Sequence, residues 1–470
     1  MPISPHKSTR IGIFLGVCWL YACIHLDRQI LGILAESVKS DLHLRDRQLG
    51  ALTGSAFSIV YALLGLYFGN MADRSDRLRL VRVGAYVWSL SCIGAAFASD
   101  YSSLVASRAG VAVGEAIATA AAVSVIAELA GERYRARLAS LFLTSAFIGA
   151  GAAALVGGAI LDLFRHATFA AWRPALLVAG APGILGAIYL RFFCAAEPVR
   201  PRRLRTRQEN VNIAVLVGAS LGAVVLQVRL PPSWAVPLAI TLAAMVAIWW
   251  AQRLRVADPP AYLATLGRQP FRLLVAAFAA VLFVDYAAGF WFIPFAQRRF
   301  GVGATAAGAQ LGGLLIGGGI IGCLLGGWIA DRWHRAHRAG RAYTALLAVL
   351  VEGAAIWLAA GQTNYHAFLA AFTVLCLGSG GWTGVAAALA LDLLPPEHRG
   401  TGTAAYFLVT TVLGPGLGPF LVGLGSDAFG SLGTALAASC ATMVLGVIAL
   451  LKLTWWINRP ALLKIPTAPG

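Results

Sequence analysis

Apolar runs of 16 to 28 residues, separated by short polar breaks, fill this chain from residue 11 to residue 457. About 20 apolar residues cross a hydrocarbon core of about 30 Å, so each run is read as a membrane helix. The runs fall at 11–35, 49–70, 80–98, 102–129, 136–161 and 173–194, then at 213–228 and 234–252. Six more follow at 271–296, 308–330, 343–360, 367–394, 402–425 and 434–457, which makes fourteen spans. The seventh and eighth runs are short and joined by Arg229-Leu-Pro-Pro-Ser, a linker suited to a tight hairpin. A hairpin that packs on the bundle without crossing is the alternative.

The polar breaks carry an internal repeat. Between the second and third runs the chain reads Gly65-Leu-Tyr-Phe-Gly69-Asn-Met-Ala-Asp73-Arg74-Ser-Asp76-Arg77-Leu-Arg79, five charges within seven residues. These charges are expected in an aqueous turn, with Gly65 and Gly69 at a spacing that lets the preceding helix approach a neighbour. A degenerate copy, Gly326-Gly327-Trp-Ile-Ala-Asp331-Arg332-Trp-His-Arg335, places Asp331 on Asp73 at an offset of 258 residues. Residues 132–162 align with 397–427 at an offset of 265, Gly158 falling on Gly423. Two such offsets indicate a duplicated membrane unit. The expected fold class is all-α and polytopic, with an N-terminal six-helix bundle over residues 1–194 and a C-terminal one over 269–470. A basic linker with the inserted hairpin occupies 195–268.

Composition narrows the class further. Only 12% of the 470 residues are charged and 59% are apolar, with a mean hydropathy of +0.75, against roughly 25% charged in soluble domains. The net charge of +17 would point to nucleic acid in a soluble protein. Here the arginines crowd into alternate short loops, which is the positive-inside pattern, so both termini are expected in the cytoplasm at the cell (inner) membrane. Seven cysteines sit inside apolar runs without a C-x-x-C pair and read as small core residues. No phosphate-cradling, zinc-protease or Ser-His-Asp pattern is present in the sequence, so no enzyme and no cofactor are expected.

The 65–79 loop resembles the signature of the major facilitator superfamily. Leu26-Asp27-Arg28, then Arg108 with Gly114-Glu115-Ala116, and then Trp172-Arg173 resemble its Spinster-like branch. That resemblance implies alternating access between two bundles, and a central cavity lined by Asp27, Arg28, Arg108 and Glu115. The fifth run lacks the proline of the antiporter signature, whereas Gly414-Pro-Gly-Leu-Gly-Pro419 supplies a helix breaker in the penultimate one.

Ionisable residues inside spans are the default functional candidates. Asp27 and Arg28 lie about 24 Å along the first span, and Arg108 enters the fourth to a similar depth. Glu115 lies seven residues on, along the same helix face. Depending on its arginine partner, a carboxylate there would gain or lose a proton, as a proton-coupled carrier requires. The alternative is a permanently paired network that only positions helices. Asp285, followed by Tyr286 and Phe290-Trp291-Phe292, could set a polar group beside an aromatic wall. Glu352 is a further carboxylate within a span. Gly69, Asp73, Arg74, Arg77, Glu128, Asp331 and Arg332 are assigned to an inner gate, with Arg77 expected to pair with Glu128.

The expected substrate is a small amphipathic or anionic molecule, lysolipid-like by the resemblance, moved with a proton by a monomer. An organic-anion or sugar-acid symporter, or a transport-dead sensor on the same scaffold, are the rival readings.

Overall fold

The computed structural model describes residues 7–72, 75–193 and 207–459. Within them the chain forms sixteen α-helices. Thirteen helical segments are long and apolar enough to cross a membrane. The remaining expected span, α4 (Arg77–Ala95), has the length but opens on Arg77, Arg79 and Arg82. Its start is set by Asp76, whose carboxylate accepts from the Arg79 N–H at 2.9 Å and caps the helix.

Two of the expected spans are broken. The second is α2 (Asp46–Thr53) and α3 (Ser55–Ala72), interrupted at Gly54; the penultimate is α14 (Arg399–Leu413) and α15 (Gly418–Phe429), interrupted at the Gly414–Leu417 turn. Conversely, two expected spans share one run of helix. α5 (Tyr101–Leu163) is continuous, although its two ends run oppositely along α1 (Lys7–Asp41). Arg108 lies beside Asp27 and Leu129 beside Arg10, but Gly149 lies beside Ala22 and Gly157 beside Ile33. The chain therefore reverses its direction along α1 between residues 129 and 149.

The first bundle packs α1, α3, α4, α5 and α6 (Trp172–Phe193). Trp172 donates to Asp41 at 3.0 Å, and Arg173 donates to the carbonyls of Ala96 and Ala98 at 2.9 and 2.8 Å. This dipeptide thus ties three helix ends together. The second bundle packs α10 (Gln269–Phe300), α11 (Ala304–Ala336), α12 (Gly340–Ala360), α13 (Tyr365–Leu393) and α16 (Leu432–Ile457), with α14 and α15 against α10.

The bundles meet along two seams, each made of glycine on backbone. On one, Gly308 and Gly312 of α11 lie against the carbonyls of Ala154 and Gly151 of α5. On the other, Gly50 and Gly54 lie against the carbonyls of Pro419 and Gly416. The glycines differ by 258 residues and the carbonyls by 265, the two offsets of the sequence repeat. The second seam is covered by the inserted pair, α7 (Arg207–Arg229) and α8 (Pro232–Ala257). Leu216, Ala219 and Ala223 of α7 and Ala239, Ala243 and Val246 of α8 cluster with Ile59 and Leu63 of α3 and Leu408 and Val412 of α14. Ser55 fixes the pair by donating to buried Gln227 at 2.7 Å.

Candidate functional site

Four charged side chains converge inside the first bundle. Asp27 and Arg28 are neighbours on α1 and so point to different sides of it. Arg108 donates to Asp27 at 2.8 Å and Arg28 to Glu115 at 2.6 Å. Asp27 and Glu115 are fully buried and Arg108 nearly so. Buried ions are tolerated when paired and hydrogen-bonded, and two positive charges here balance two negative ones.

The pairing is incomplete. Asp27 Oδ1, Glu115 Oε1, Arg28 Nη2 and Arg108 Nε are buried with no hydrogen-bond partner. A guanidinium carries five donors in a fixed fork, so each arginine retains capacity for an acceptor from outside the cluster. Arg28 is the more accessible, its side chain 15% exposed. It lies over the rings of Phe57 and Tyr61, 4.9 and 4.6 Å from their centroids. Tyr286, which belongs to α10 of the opposite bundle, lies close to it. One and two turns before Arg28, His25 and Tyr21 are in ring contact, and Tyr21 stacks on Phe142 at 4.0 Å. The polar heads thus continue into an aromatic strip.

Asp285 takes a different place from the one expected. It accepts from Ser379 of α13 at 2.7 Å, next to Gly378, which packs on Glu352 of α12. The expected aromatic wall beside it is core: Trp291 and Phe292 are fully buried and Phe290 nearly so. Phe292 packs on Phe368 and Phe372, and Trp291 donates to the Pro419 carbonyl at 2.9 Å. At helical spacing Phe290 and Trp291 fall on other faces of α10 than Asp285, and Phe292, two turns on along the same face, is taken up by the core.

Of the gate residues, Asp73 and Arg74 lie outside the described residues. Arg77 donates to Glu128 at 2.7 Å, within one bundle. Asp331 is exposed and 3.8 Å from Arg341, which also pairs with Asp392, and Arg332 is exposed. Among the described residues the close approach expected at Gly65 and Gly69 is absent, since none lies within 4 Å of a Cβ placed on either. Gly327 is likewise open, and the contact falls one residue earlier, where Gly326 lies against Gly381.

The opposite end of the molecule holds a cluster the sequence did not reveal. Arg298 of α10 donates to both oxygens of Asp46 at 2.6 and 2.8 Å and to Glu36 at 2.8 Å. Lys39 and Ser426 donate to the same Asp46 carboxylate at 2.6 and 2.7 Å. Asp427 caps the start of α2 through the N–H groups of Asp46 and Arg47, and Asp162 caps the start of α11 through that of Thr305. All but the Lys39 contact join one bundle to the other or cap a helix of the other, so the molecule is clasped shut at this end.

Comparison with known proteins agrees with this arrangement. The sequence profile of the Major Facilitator Superfamily matches residues 17–419. An MFS-type efflux pump of Mycolicibacterium smegmatis is 28% identical over 434 residues, 90% of this chain and 86% of that protein. Human protein spinster homolog 1 is 26% identical over 445 residues, 90% of this chain and 74% of that one. The crystal structure of a bacterial homolog to the human lysosomal transporter Spinster, inward-facing and occupied, superposes with a TM-score of 0.71 at 20% identity, covering 99% of this chain and 100% of that one. With two pseudo-equivalent bundles, a charged pair of pairs in the membrane and a profile match over most of its length, the chain belongs to the Major Facilitator Superfamily as a Spinster-like secondary transporter.

Proposed function

We propose that this protein moves a small amphipathic anion, lysolipid-like in chemistry, across the cell membrane by alternating access coupled to protons. The observation that carries this reading is Arg28, held by Glu115 yet keeping a buried Nη2 without a partner at the meeting point of the two bundles. An anionic headgroup would gain a charge-assisted bond there, and the strip through Tyr21 and Phe142 suits an acyl chain better than a wholly polar sugar acid. The similarity to spinster proteins supports the same class.

In this reading, anion and carboxylate compete for Arg28. When Glu115 takes a proton it releases the guanidinium to the substrate; when it loses the proton it takes the guanidinium back. Asp27 holds Arg108 in place. Both termini face the cytoplasm, so the Asp46–Arg298 clasp lies on the outer side and the molecule is inward-facing. Arg77 and Glu128, with Asp73, Arg74, Asp331 and Arg332, act at the inner gate. The chain works as a monomer.

The test is uptake into proteoliposomes of a lysophospholipid series and a sugar-acid series, with and without a pH gradient. Glu115→Gln should abolish gradient-driven accumulation of a lysophospholipid while its binding persists. Sugar acids accumulated in place of lysophospholipids would overturn the substrate class, and unchanged accumulation by Glu115→Gln would overturn the coupling residue.

A further inference from the structure

We propose that Asp285 and Glu352 form a second proton-binding site, a carboxyl pair in the second bundle that holds one proton between its two side chains. The two residues come from α10 and α12, and α13 supplies their neutral donors. Trp382 Nε1–H donates to Glu352 Oε2 at 2.6 Å and Ser379 donates to Asp285 Oδ1 at 2.7 Å. Glu352 is fully buried, and its other oxygen, Oε1, receives no hydrogen bond from any donor. Gly378 packs on Glu352 and its neighbour Ser379 bonds Asp285, so α13 brings the two carboxyl groups side by side. Two carboxylates are acceptors only, so their contact becomes a hydrogen bond only if one of them carries a proton to donate.

Charge leads to the same conclusion. In the first bundle each buried carboxylate has an arginine, whereas neither Asp285 nor Glu352 makes an ion pair among the described residues. Among the described residues, the titratable groups beside the pair are Cys376 of α13, Cys440 of α16 and the neighbouring Tyr286. None of these is a cation. Two adjacent negative charges in a membrane interior without a counter-charge repel each other and lose their hydration together, and one shared proton removes both costs. Gly378 is packed on the Cβ and backbone of Glu352, so Glu352 is sealed from behind. Asp285 is only half-buried, so the proton enters and leaves through Asp285.

The pair is also placed to be felt across the molecule. Tyr286 follows Asp285 on α10 and lies close to Arg28 of the first bundle. Loss of the shared proton leaves a negative charge one residue from the contact through which the second bundle reaches the Glu115–Arg28 pair. That role in the cycle rests on the transport reading above; the binding of the proton does not.

The experiment follows protonated carboxyl groups directly, by infrared difference spectra of the C=O stretch on a pH step, with the purified full-length protein in nanodiscs and no substrate. Glu352→Gln keeps the acceptor for Trp382 and gives Asp285 a permanent donor; Asp285→Asn makes the complementary change. Each should remove one carboxyl band that Glu115→Gln leaves in place, with about one proton fewer taken up over the step. Thermal unfolding identifies a misfolded variant, and the other then decides. Persistence of the band and of the proton count in the folded variants overturns the proposal, as does a band lost only in Glu115→Gln. Since no transport is measured, failure of the substrate reading would leave either result standing.

Discussion

Gly308 of α11 lies against the backbone carbonyl of Ala154 of α5 with no room for a side chain between them. Its repeat-mate, Gly50, lies against Pro419 in the same way on the other seam. Helices in lipid gain by close packing of small residues rather than by hydrophobic expulsion. The closed end of the molecule is therefore held by backbone contact as well as by charge.

A side chain at Gly308 should wedge that end open. Gly308→Leu is expected to lengthen the distance between spin labels at His166 and Thr363, each at the clasped end of a different bundle, and Gly50→Leu should do the same from the other seam. Unchanged distance distributions in both variants would show that the seams do not set the conformational balance.

Asp46 is the hub of the clasp, 2% exposed and bonded to Arg298, Lys39 and Ser426. Asp46→Asn removes the charge that holds two cations. Breaking a buried ion pair by losing one partner costs about 3–5 kcal/mol, and Arg298 retains Glu36, so a shift of about 2 kcal/mol, more than tenfold, toward the state open at this end is expected. Accessibility of a cysteine at Ser426 to a membrane-impermeant thiol reagent, measured with and without Asp46→Asn, reads it.

Arg108 and Asp27 should behave as a coupled pair. Arg108→Ala leaves a buried carboxylate unpaired and is expected to cost about 3–5 kcal/mol. Arg108→Ala with Asp27→Asn should recover part of that loss, since the uncompensated charge is gone. Thermal unfolding of the single and double variants in detergent gives the coupling; strict additivity would mean that the two residues do not depend on each other.

The hairpin α7–α8 gives a test of topology. Pro232, at the turn, should lie on the side opposite both termini. Reporter fusions at Pro232 and at residue 459 decide this, and cytoplasmic signal from both would return the hairpin to a non-crossing element.

Hydropathy made the spans legible because lipid imposes a length on every crossing. It could not show that α5 runs on through the polar break after residue 129, because charges end a membrane span without breaking a helix. The four cluster residues of the first bundle were legible as isolated charges in apolar runs, but their pairing was not: which arginine meets which carboxylate depends on the rotation of α1 against α5. The Asp46–Arg298 contact joins residues 252 apart in sequence, and no local pattern marks it. Gly50 and Gly308 were within reach, since the offset of 258 read from the charged loops links them directly. The carboxyl pair of Asp285 and Glu352 was hidden because Glu352 sits in an apolar stretch where only its neighbours across α13 give it meaning.

The inserted hairpin makes the carrier unequal in the plane of the membrane. Of two seams built from the same repeat, one lies behind the extra layer of α7 and α8, while the α5–α11 seam has no such layer among the described residues. Two otherwise equivalent flanks thereby become a back and a front, and a molecule drifting in from the lipid meets the edge where the bundles join uncovered by the hairpin on the front alone.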